Sequence, residues 1–120
     1  MKHNEDKITP LNNFKILGAA GEQSDRGTFT SLIQKSLALE EYRTGHELSV
    51  EGTAQYMRSE LAYAIRKGPY QVNVLIAGYD KIDNCAKLYW LDYLGTLQQV
   101  SKGAHGYAGY FVNSVLDNNF

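Results

Sequence analysis

An apolar stretch near the middle of the chain predicts the central element of the fold. Gln71–Asp80 reads Gln-Val-Asn-Val-Leu-Ile-Ala-Gly-Tyr-Asp and contains no basic residue, and Pro69 stands just before it. A short apolar run bounded by Pro, Gly and Asp favours a β-strand that is covered on both faces. We therefore expect this strand to lie at the centre of a sheet.

Two stretches before this strand carry apolar residues at the spacing of amphipathic helices. The first helix is predicted at Ser24–Tyr42, with Ser24 or Asp25 as its N-cap. The second is predicted at about Ser49–Lys67, with Ser49 as its N-cap. Because the loop between them is short, an antiparallel helical hairpin is expected. The apolar stripes consist of Phe29, Leu32, Ile33 and Leu37 in the first helix and Val50, Ala54, Met57, Leu61, Ala64 and Ile65 in the second.

The remaining stretches predict further strands and the beginning of a third helix. A strand is expected at about Phe14–Ala20, after a turn at Pro10–Asn13. After the central strand, Ala86–Leu94 predicts an antiparallel neighbour, Thr96–Ser101 a more polar strand, and Tyr110–Leu116 a helix. The whole pattern predicts two helices laid on a sheet.

Length and composition are those of one globular domain. The chain has 120 residues and a formal net charge of -1, so no basic excess is present to attract nucleic acid or an anionic membrane. No apolar run approaches the ~20 residues of a membrane span, and the first seven residues contain no apolar segment of a secretory signal. The single cysteine, Cys85, cannot form an internal disulfide. These features predict a reducing cytosolic or nuclear setting.

Few residues in the sequence indicate a catalytic or ligand-binding site. Gly18–Glu22 leads from a strand into a helix, where backbone N–H groups could hold an anion or oxyanion, but a plain tight turn is the favoured interpretation. His105, in the glycine-rich loop Lys102–Gly109, is interpreted as a packed or hydrogen-bonded histidine rather than a catalytic base. Cys85 is interpreted as an incidental thiol, because no cation stands just before it. The excess of tyrosine, nine in all, suits a core or a subunit interface.

Metal and acid–base sites are not expected. His3, His46 and His105 stand in separate loops without a cysteine or second histidine at a metal-ligand spacing, so no metal or other cofactor is predicted. A Ser-His-Asp triad assembled in space stays open, although no nucleophile-elbow motif supports one. Three carboxylates are interpreted as turn and surface groups rather than a general acid–base pair: Asp80, Asp83 and Asp92.

Five stretches, in their order and spacing, resemble the β subunits of the eukaryotic 20S proteasome. Within that family the chain is most similar to the inactive class called β-4, or β type-2 in the animal nomenclature. The resemblance runs from about Asp6 to Phe120. The stretches are Ala20–Glu22, Tyr42–Ser49, Pro69–Asp80, Leu88–Gly95 and Ala104–Tyr107.

The resemblance implies an α+β fold, the N-terminal-nucleophile hydrolase sandwich of two antiparallel sheets between two helical layers. A full subunit of this kind begins with a β-hairpin that carries a catalytic threonine, and it ends with further helices and strands. Neither part is found in residues 1–120. We therefore expect residues 1–120 to form a single partial domain, the middle of a subunit.

The resemblance also identifies positions of the family's catalytic site. Active members use the threonine hydroxyl as nucleophile, a lysine that lowers the pKa of the threonine amine, and a glycine N–H that receives the oxyanion. Lys7 takes the place of that lysine and Gly21 that of the glycine. A supporting glycine and serine correspond to Ala108 and Gly109, so the serine hydroxyl is lost. Lys7 and Gly21 are therefore interpreted as relics, and no residue as catalytic.

The function implied by the resemblance is that of a non-catalytic structural subunit in a hetero-oligomeric, seven-membered ring. Such a subunit takes part in ubiquitin-dependent protein degradation in the cytoplasm and nucleus. The resemblance implies that the hairpin Ser24–Lys67 meets the α ring and that Ala104–Phe120 faces other β subunits. Two alternatives stay open: a threonine endopeptidase whose nucleophile lies outside this chain, and an independent binding module.

Overall fold

Five strands and three helices make up the fold. The computed structural model describes residues 7–105 and 107–119, without the side chains of residues 107 and 108. In chain order the elements are β1 (Ile8–Asn12), β2 (Lys15–Gly21), α1 (Gln23–Thr44), α2 (Val50–Ala64), β3 (Val72–Asp80), β4 (Cys85–Leu91), β5 (Leu97–Val100) and α3 (Tyr107–Asn119).

The strands form one antiparallel sheet in the order β1-β2-β3-β4-β5. The predicted central strand, β3, is confirmed in the middle of this sheet. β3 pairs with β2 from Gly78 opposite Lys15 to Val72 opposite Gly21, and with β4 on its other side. The sheet follows the chain order, and the connection between β2 and β3 consists of the helical hairpin.

The hydrophobic core lies between the helical hairpin and one face of the sheet. Alternate residues of β3, namely Val72, Val74 and Ile76, are completely buried on this face, as are Leu17 of β2 and Leu91 of β4. Each such aliphatic side chain contributes roughly 1.5–3 kcal/mol when it leaves water. The hairpin supplies the opposing residues, which are Phe29, Ile33, Leu37, Val50, Ala54, Met57 and Leu61.

The opposite face of β3 is only half-buried among the described residues, so the prediction of a strand covered on both faces is wrong for this face. Leu75 and Ala77 point to this side, where Ile16 and Tyr79 are 46% and 40% exposed. An open groove of about 730 Å³ runs along this side of the sheet. The alternation of buried and half-buried residues along β3 could not be read from the sequence, because Leu75 and Ala77 are apolar like their buried neighbours.

The N-terminal strand β1 was not predicted, and the turn expected at Pro10–Asn13 lies at Asn13–Phe14 instead. Pro10 is compatible with β1 because this is an edge strand. The Ala19 N–H donates to the Lys7 carbonyl at 2.9 Å. Since hydrogen-bonded pairs alternate in an antiparallel ladder, the nitrogen of Pro10 faces away from β2, where no donor is needed.

The start of α1 also differs from the prediction. The N-cap is Glu22, whose carboxylate accepts from the Asp25 N–H at 2.9 Å. Ser24, one of the predicted caps, instead donates its hydroxyl to Glu22 at 2.6 Å. These two hydrogen bonds, that from Ser24 first, lower the pKa of the Glu22 carboxyl. The negative charge is then kept at the positive end of the helix.

The second helix begins as predicted and ends earlier. Ser49 is its N-cap, and its hydroxyl accepts from the Gly52 N–H at 2.9 Å. The helix ends at Ala64, three residues before the predicted end, and the predicted core residue Ile65 is 40% exposed.

The first residue of α2 is fixed against the end of β3. A Cβ atom at Gly78 would lie 2.7 Å from Val50 Cγ2 and 2.8 Å from the Phe14 carbonyl oxygen, so only glycine lets the helix lie this close. Two residues later, Asp80 Oδ1 accepts from the Val50 N–H at 2.9 Å. The helix is thereby positioned by packing and by a charged acceptor at its N-terminus.

Asp80 is buried, so its interpretation as a turn or surface residue is wrong. It is 7% exposed, and its Oδ2 lies 3.4 Å from the Lys87 ammonium. Lys87 also donates to Asp83 at 2.8 Å, and these two partners, Asp83 first, raise the pKa of Lys87 above its usual value. Asp83 and Asp92 do lie in turns, as interpreted.

We predict that Asp80→Ala destabilises the chain by about 1–3 kcal/mol, because the buried Val50 N–H loses its acceptor. Asp83→Ala is the matched control. It removes an exposed partner of the same lysine and is expected to change the free energy of unfolding by less than about 0.5 kcal/mol. Urea unfolding of both variants measures the difference. Equal losses would show that the junction of α2 with β3 does not depend on Asp80.

Candidate functional site

Lys7, which directly precedes β1, and Gly21, the last residue of β2, lie at the same end of the sheet. The Lys7 carbonyl accepts from the Ala19 N–H at 2.9 Å, which places Lys7 opposite Ala19 on the β1 side of β2. Gly21 is the last residue of β2, two positions beyond Ala19. The structure thus brings together the two positions that the resemblance singled out.

The backbone N–H of Gly21 points toward the side of β2 on which Lys7 lies. At one end of the β2–β3 ladder the Tyr79 N–H donates to the Phe14 carbonyl, and at the other the Glu22 N–H donates to the Gln71 carbonyl, both at 2.9 Å. Hydrogen-bonded pairs therefore fall at the even-numbered residues of β2, and the odd-numbered residues direct their N–H groups away from β3. The Gly21 N–H is therefore directed away from β3, toward the side of β2 on which Lys7 lies.

The backbone of Gly21 accounts for glycine at this position without any ligand. Its φ is 139°, in the region that side chains disfavour, and an added Cβ atom would lie 2.0 Å from the Gln71 carbonyl oxygen. The residue marks the place where β2 passes close to the start of β3 and turns into α1. The interpretation of Gly18–Glu22 as an anion site stays a prediction.

A groove of about 270 Å³ lies beside Lys7, between the edge of the sheet and the first turns of α1. Its ionisable lining groups are Lys7 and Arg26, and the other polar groups are hydroxyls and amides. This donor-rich lining suits a carbonyl or carboxylate, and among the described residues it includes no histidine or carboxylate that could serve as a general base. The other lining residues are Thr9, Ala19, Gln23, Gly27, Thr30, Ser31 and Gln34.

The α1 side of this groove was not predicted from the sequence. Gln23, Thr30 and Gln34 follow the three- and four-residue spacing of one helix face, with Arg26 and Gly27 between them. This polar stripe opposite the apolar one is a readable signal, but a polar stripe on a helix is ordinarily taken as its solvent face.

His105 is a packed histidine, as interpreted. Its ring stacks on the Trp90 indole with 4.7 Å between ring centroids, and Nε2 lies 2.9 Å from the Val74 carbonyl oxygen. The Trp90 indole N–H donates to the Ala104 carbonyl at 3.2 Å. These contacts fix the loop on the half-buried face of the sheet, away from the groove beside Lys7.

The other residues singled out from the sequence are dispersed. Cys85 is exposed at the start of β4, and the backbone N–H of His46 lies 3.2 Å from the Thr44 hydroxyl in the hairpin loop. Tyr89 is buried, and that burial, together with Glu51, raises the pKa of its hydroxyl. His3 lies outside the described residues. Residues 7–105 and 107–119 contain no cluster of side chains suited to a metal, and none of their helices is long and apolar enough to cross a membrane.

Comparison with known proteins decides the family. The family model described as proteasome subunit matches residues 1–120. The chain belongs to the proteasome subunit family. Its antiparallel sheet and three helices are the α+β architecture of that family's N-terminal-nucleophile hydrolase sandwich, which confirms the predicted fold class.

The similar proteins are β-type proteasome subunits. The chain is 47% identical over 119 residues to proteasome subunit beta type-2-B of Arabidopsis thaliana, covering 99% of this chain and 59% of that protein. It is 44% identical over 121 residues to beta type-2 of Dictyostelium discoideum (99% and 61%) and 42% identical over 121 residues to beta type-4 of Saccharomyces cerevisiae (100% and 61%). The chain thus spans about three fifths of the length of these curated relatives.

We predict opposite effects for alanine at two glycines, Gly21 at the end of β2 and Gly27 in the lining of the groove. Gly21→Ala is expected to destabilise the chain by more than about 1 kcal/mol, because it combines a positive φ with a clash against Gln71. Gly27→Ala, where an added Cβ atom meets nothing within 4 Å, is expected to stabilise α1 by about 0.5–1 kcal/mol. Urea unfolding followed by Trp90 fluorescence measures both, and a neutral Gly21→Ala would contradict the geometry described.

Proposed function

We propose that the chain serves as a non-catalytic, structural β-type subunit of the 20S proteasome. It would fill one place in a seven-membered ring and so support ubiquitin-dependent protein degradation in the cytoplasm and nucleus. The similarity to β type-2 and β type-4 subunits over nearly the whole chain supports the ring assignment. The observation that supports a non-catalytic role is Gly109, which occupies the position at which active members have a supporting serine.

The fold does not demand glycine at position 109. A Cβ atom there would lie 3.5 Å from the carbonyl carbon and oxygen of Ala104, which is ordinary contact. Gly109 is not among the glycines of positive φ, which in the described residues are Gly21, Gly45 and Gly95. A Cβ atom is therefore compatible with this position, and the missing hydroxyl favours a subunit that does not need it.

Exposed apolar residues support a place within an assembly. On the hairpin, Leu39 and Tyr42 are largely exposed, and this is the region proposed to meet the α ring. On α3, Tyr110 and Phe111 are 84% and 73% exposed, and this region is proposed to face other β subunits. An ion pair of 2.8 Å between Lys102 and Asp117 connects α3 to the loop before it. Tyrosine and phenylalanine are enriched at such interfaces.

The second candidate is a threonine endopeptidase whose nucleophile lies outside the 120 residues of this chain. The orientation of the Gly21 N–H toward the side of Lys7 favours it, because this pairing is what an oxyanion and an activated amine would require. Against it stands Gly109. The two candidates differ in whether Lys7 affects peptide hydrolysis.

We predict that Lys7→Ala leaves the peptidase activities of particles containing this subunit unchanged, because a structural subunit has no amine to activate. Hydrolysis of fluorogenic peptides by purified particles, normalised to the incorporated subunit, measures the effect. Lys35→Ala on α1 is the control for loss of a positive charge. A selective loss of at least about tenfold in one activity, on the scale of a missing catalytic group, would support the endopeptidase. Covalent labelling of this subunit by an inhibitor of N-terminal threonines would support it as well.

A further inference from the structure

A pocket of about 670 Å³ lies at the end of the sheet away from Lys7, between the strand ends and the loop that joins α1 to α2. Its walls come from the last turn of α1, the loop 45–49 and the turn 81–83 after β3. We call it the hairpin-loop pocket. Its lining includes two glutamates, a lysine and three apolar side chains, namely Glu41, Glu47, Lys15, Phe14, Leu48 and Ile82.

Lys15 is buried on the hairpin side of the sheet without a partner for its charge in the described part of the chain. It is 4% exposed, and its Cγ would lie 3.0 Å from a Cβ atom at Gly78, beside Val50 of α2. No hydrogen bond or ion pair joins its ammonium to another residue in the ranges 7–105 and 107–119. Because a buried charge is costly unless it is paired, this ammonium needs an anionic group in the pocket.

The aspartates that line the pocket are already engaged by other groups. Lys15 and Lys87 occupy the same row of the sheet, on either side of β3. Asp80 Oδ1 accepts from the Val50 N–H at 2.9 Å, and Oδ2 lies 3.4 Å from the Lys87 ammonium. Asp83 accepts from Lys87 at 2.8 Å. The lysine on the β4 side is thus neutralised within the described part of the chain, and the lysine on the β2 side is not.

The mouth of the pocket carries negative charge. Glu41 and Glu47 are exposed, and neither forms an ion pair within the ranges that the structure describes. Glu41 stands in the last turn of α1, where its carbonyl accepts from the N–H of the C-cap Gly45 and the helix dipole favours a cation. Lys81, which also lines the pocket, has its ammonium 4.0 Å from the Phe14 ring centroid. The mouth therefore favours a positively charged group.

We propose that the hairpin-loop pocket binds a ligand in which an aliphatic chain joins a carboxylate to a cation. The carboxylate pairs with Lys15, and the cation meets Glu41 and Glu47. The aliphatic chain lies against Phe14 and Leu48. A simple anion would meet the like charge of the glutamates, and a simple cation would leave the lysine unpaired.

This chemistry is that of lysine or arginine with a free carboxylate. Such a group is found in the free amino acid and in the last residue of a polypeptide. The inference does not depend on the proposed function, because it concerns the charges of this chain alone.

Titration of the unaltered chain with two small probes tests the proposal without any substitution. Nα-acetyl-lysine carries the carboxylate and the side-chain cation, whereas Nα-acetyl-lysine amide carries only the cation. We expect the first probe to shift the amide NMR signals of residues 45–49 saturably, and the second to bind at least about tenfold more weakly because it leaves Lys15 unpaired. Equal binding of the two probes, or no saturable shift up to about 10 mM, would overturn the proposal and indicate a pocket filled by water only.

Substitutions assign the two charges of the ligand. Lys15→Met is expected to weaken the binding of Nα-acetyl-lysine at least about tenfold, and Glu41→Gln combined with Glu47→Gln about threefold. Lys15→Met removes an unpaired buried charge and keeps an apolar stem, so the urea midpoint of unfolding is expected not to fall. Lys35→Met, on the exposed side of α1, is the matched control and is expected to bind like the unaltered chain. Unchanged affinity of Lys15→Met or of the double variant would contradict the proposed pairing.

Free lysine distinguishes the two sources of the ligand, because it has an α-ammonium group that acetylation neutralises. Binding of free lysine about tenfold tighter than that of Nα-acetyl-lysine would indicate an amino-acid ligand, and the reverse would indicate the terminus of a polypeptide. Either result supports the pairing of a carboxylate with Lys15. Failure of the chain to enter proteasome particles would overturn the proposed function and leave these affinities unchanged.

Discussion

The fold depends on the contact between the first residue of α2 and the last residues of β3. Gly78 lets Val50 lie on the strand, and Asp80 accepts the Val50 N–H. Because α2 supplies much of the core, this contact fixes the distance and angle at which the hairpin covers the sheet. The same aspartate faces Lys87 of β4, so one carboxylate connects the helix to two strands. Such a buried charge is stable only with its partners in place.

Much of this architecture could be predicted from the sequence. The central strand, both hairpin helices and the strand after β3 follow from hydrophobic spacing, because that spacing reflects which face of each element is buried. The Ser49 cap was also readable, since the serine stands directly before an apolar stripe. Predictions failed where the decisive partner is distant in sequence. Asp80 looks like a turn residue until Val50, thirty positions earlier, is placed against it.

The strand β1 and the Glu22 cap were missed for a different reason. Proline ordinarily indicates a turn, and a Ser-Asp pair ordinarily indicates an N-cap. In the folded chain, however, Pro10 lies within a paired strand, and Glu22 rather than Ser24 or Asp25 caps α1. In β1 the edge position removes the cost of proline, and at α1 a longer carboxylate one residue earlier takes the capping role. At the site the resemblance identified Lys7 and Gly21, but the groove wall from Gln23 to Gln34 required the helix to be placed beside the sheet.

The backbone geometry of Gly21 limits what the presence of this glycine says about catalysis. Its positive φ and its approach to Gln71 are demanded by the passage from β2 into α1, whether or not an oxyanion is ever held there. A subunit that had lost its chemistry would still favour this glycine, and with it the N–H orientation, because another residue would be strained there and would clash with Gln71. Gly109 has no such backbone constraint, since its φ is not positive and an added Cβ atom would be in ordinary contact with Ala104. A position that the fold leaves free is the better indicator of function, and at Gly109 the hydroxyl is absent.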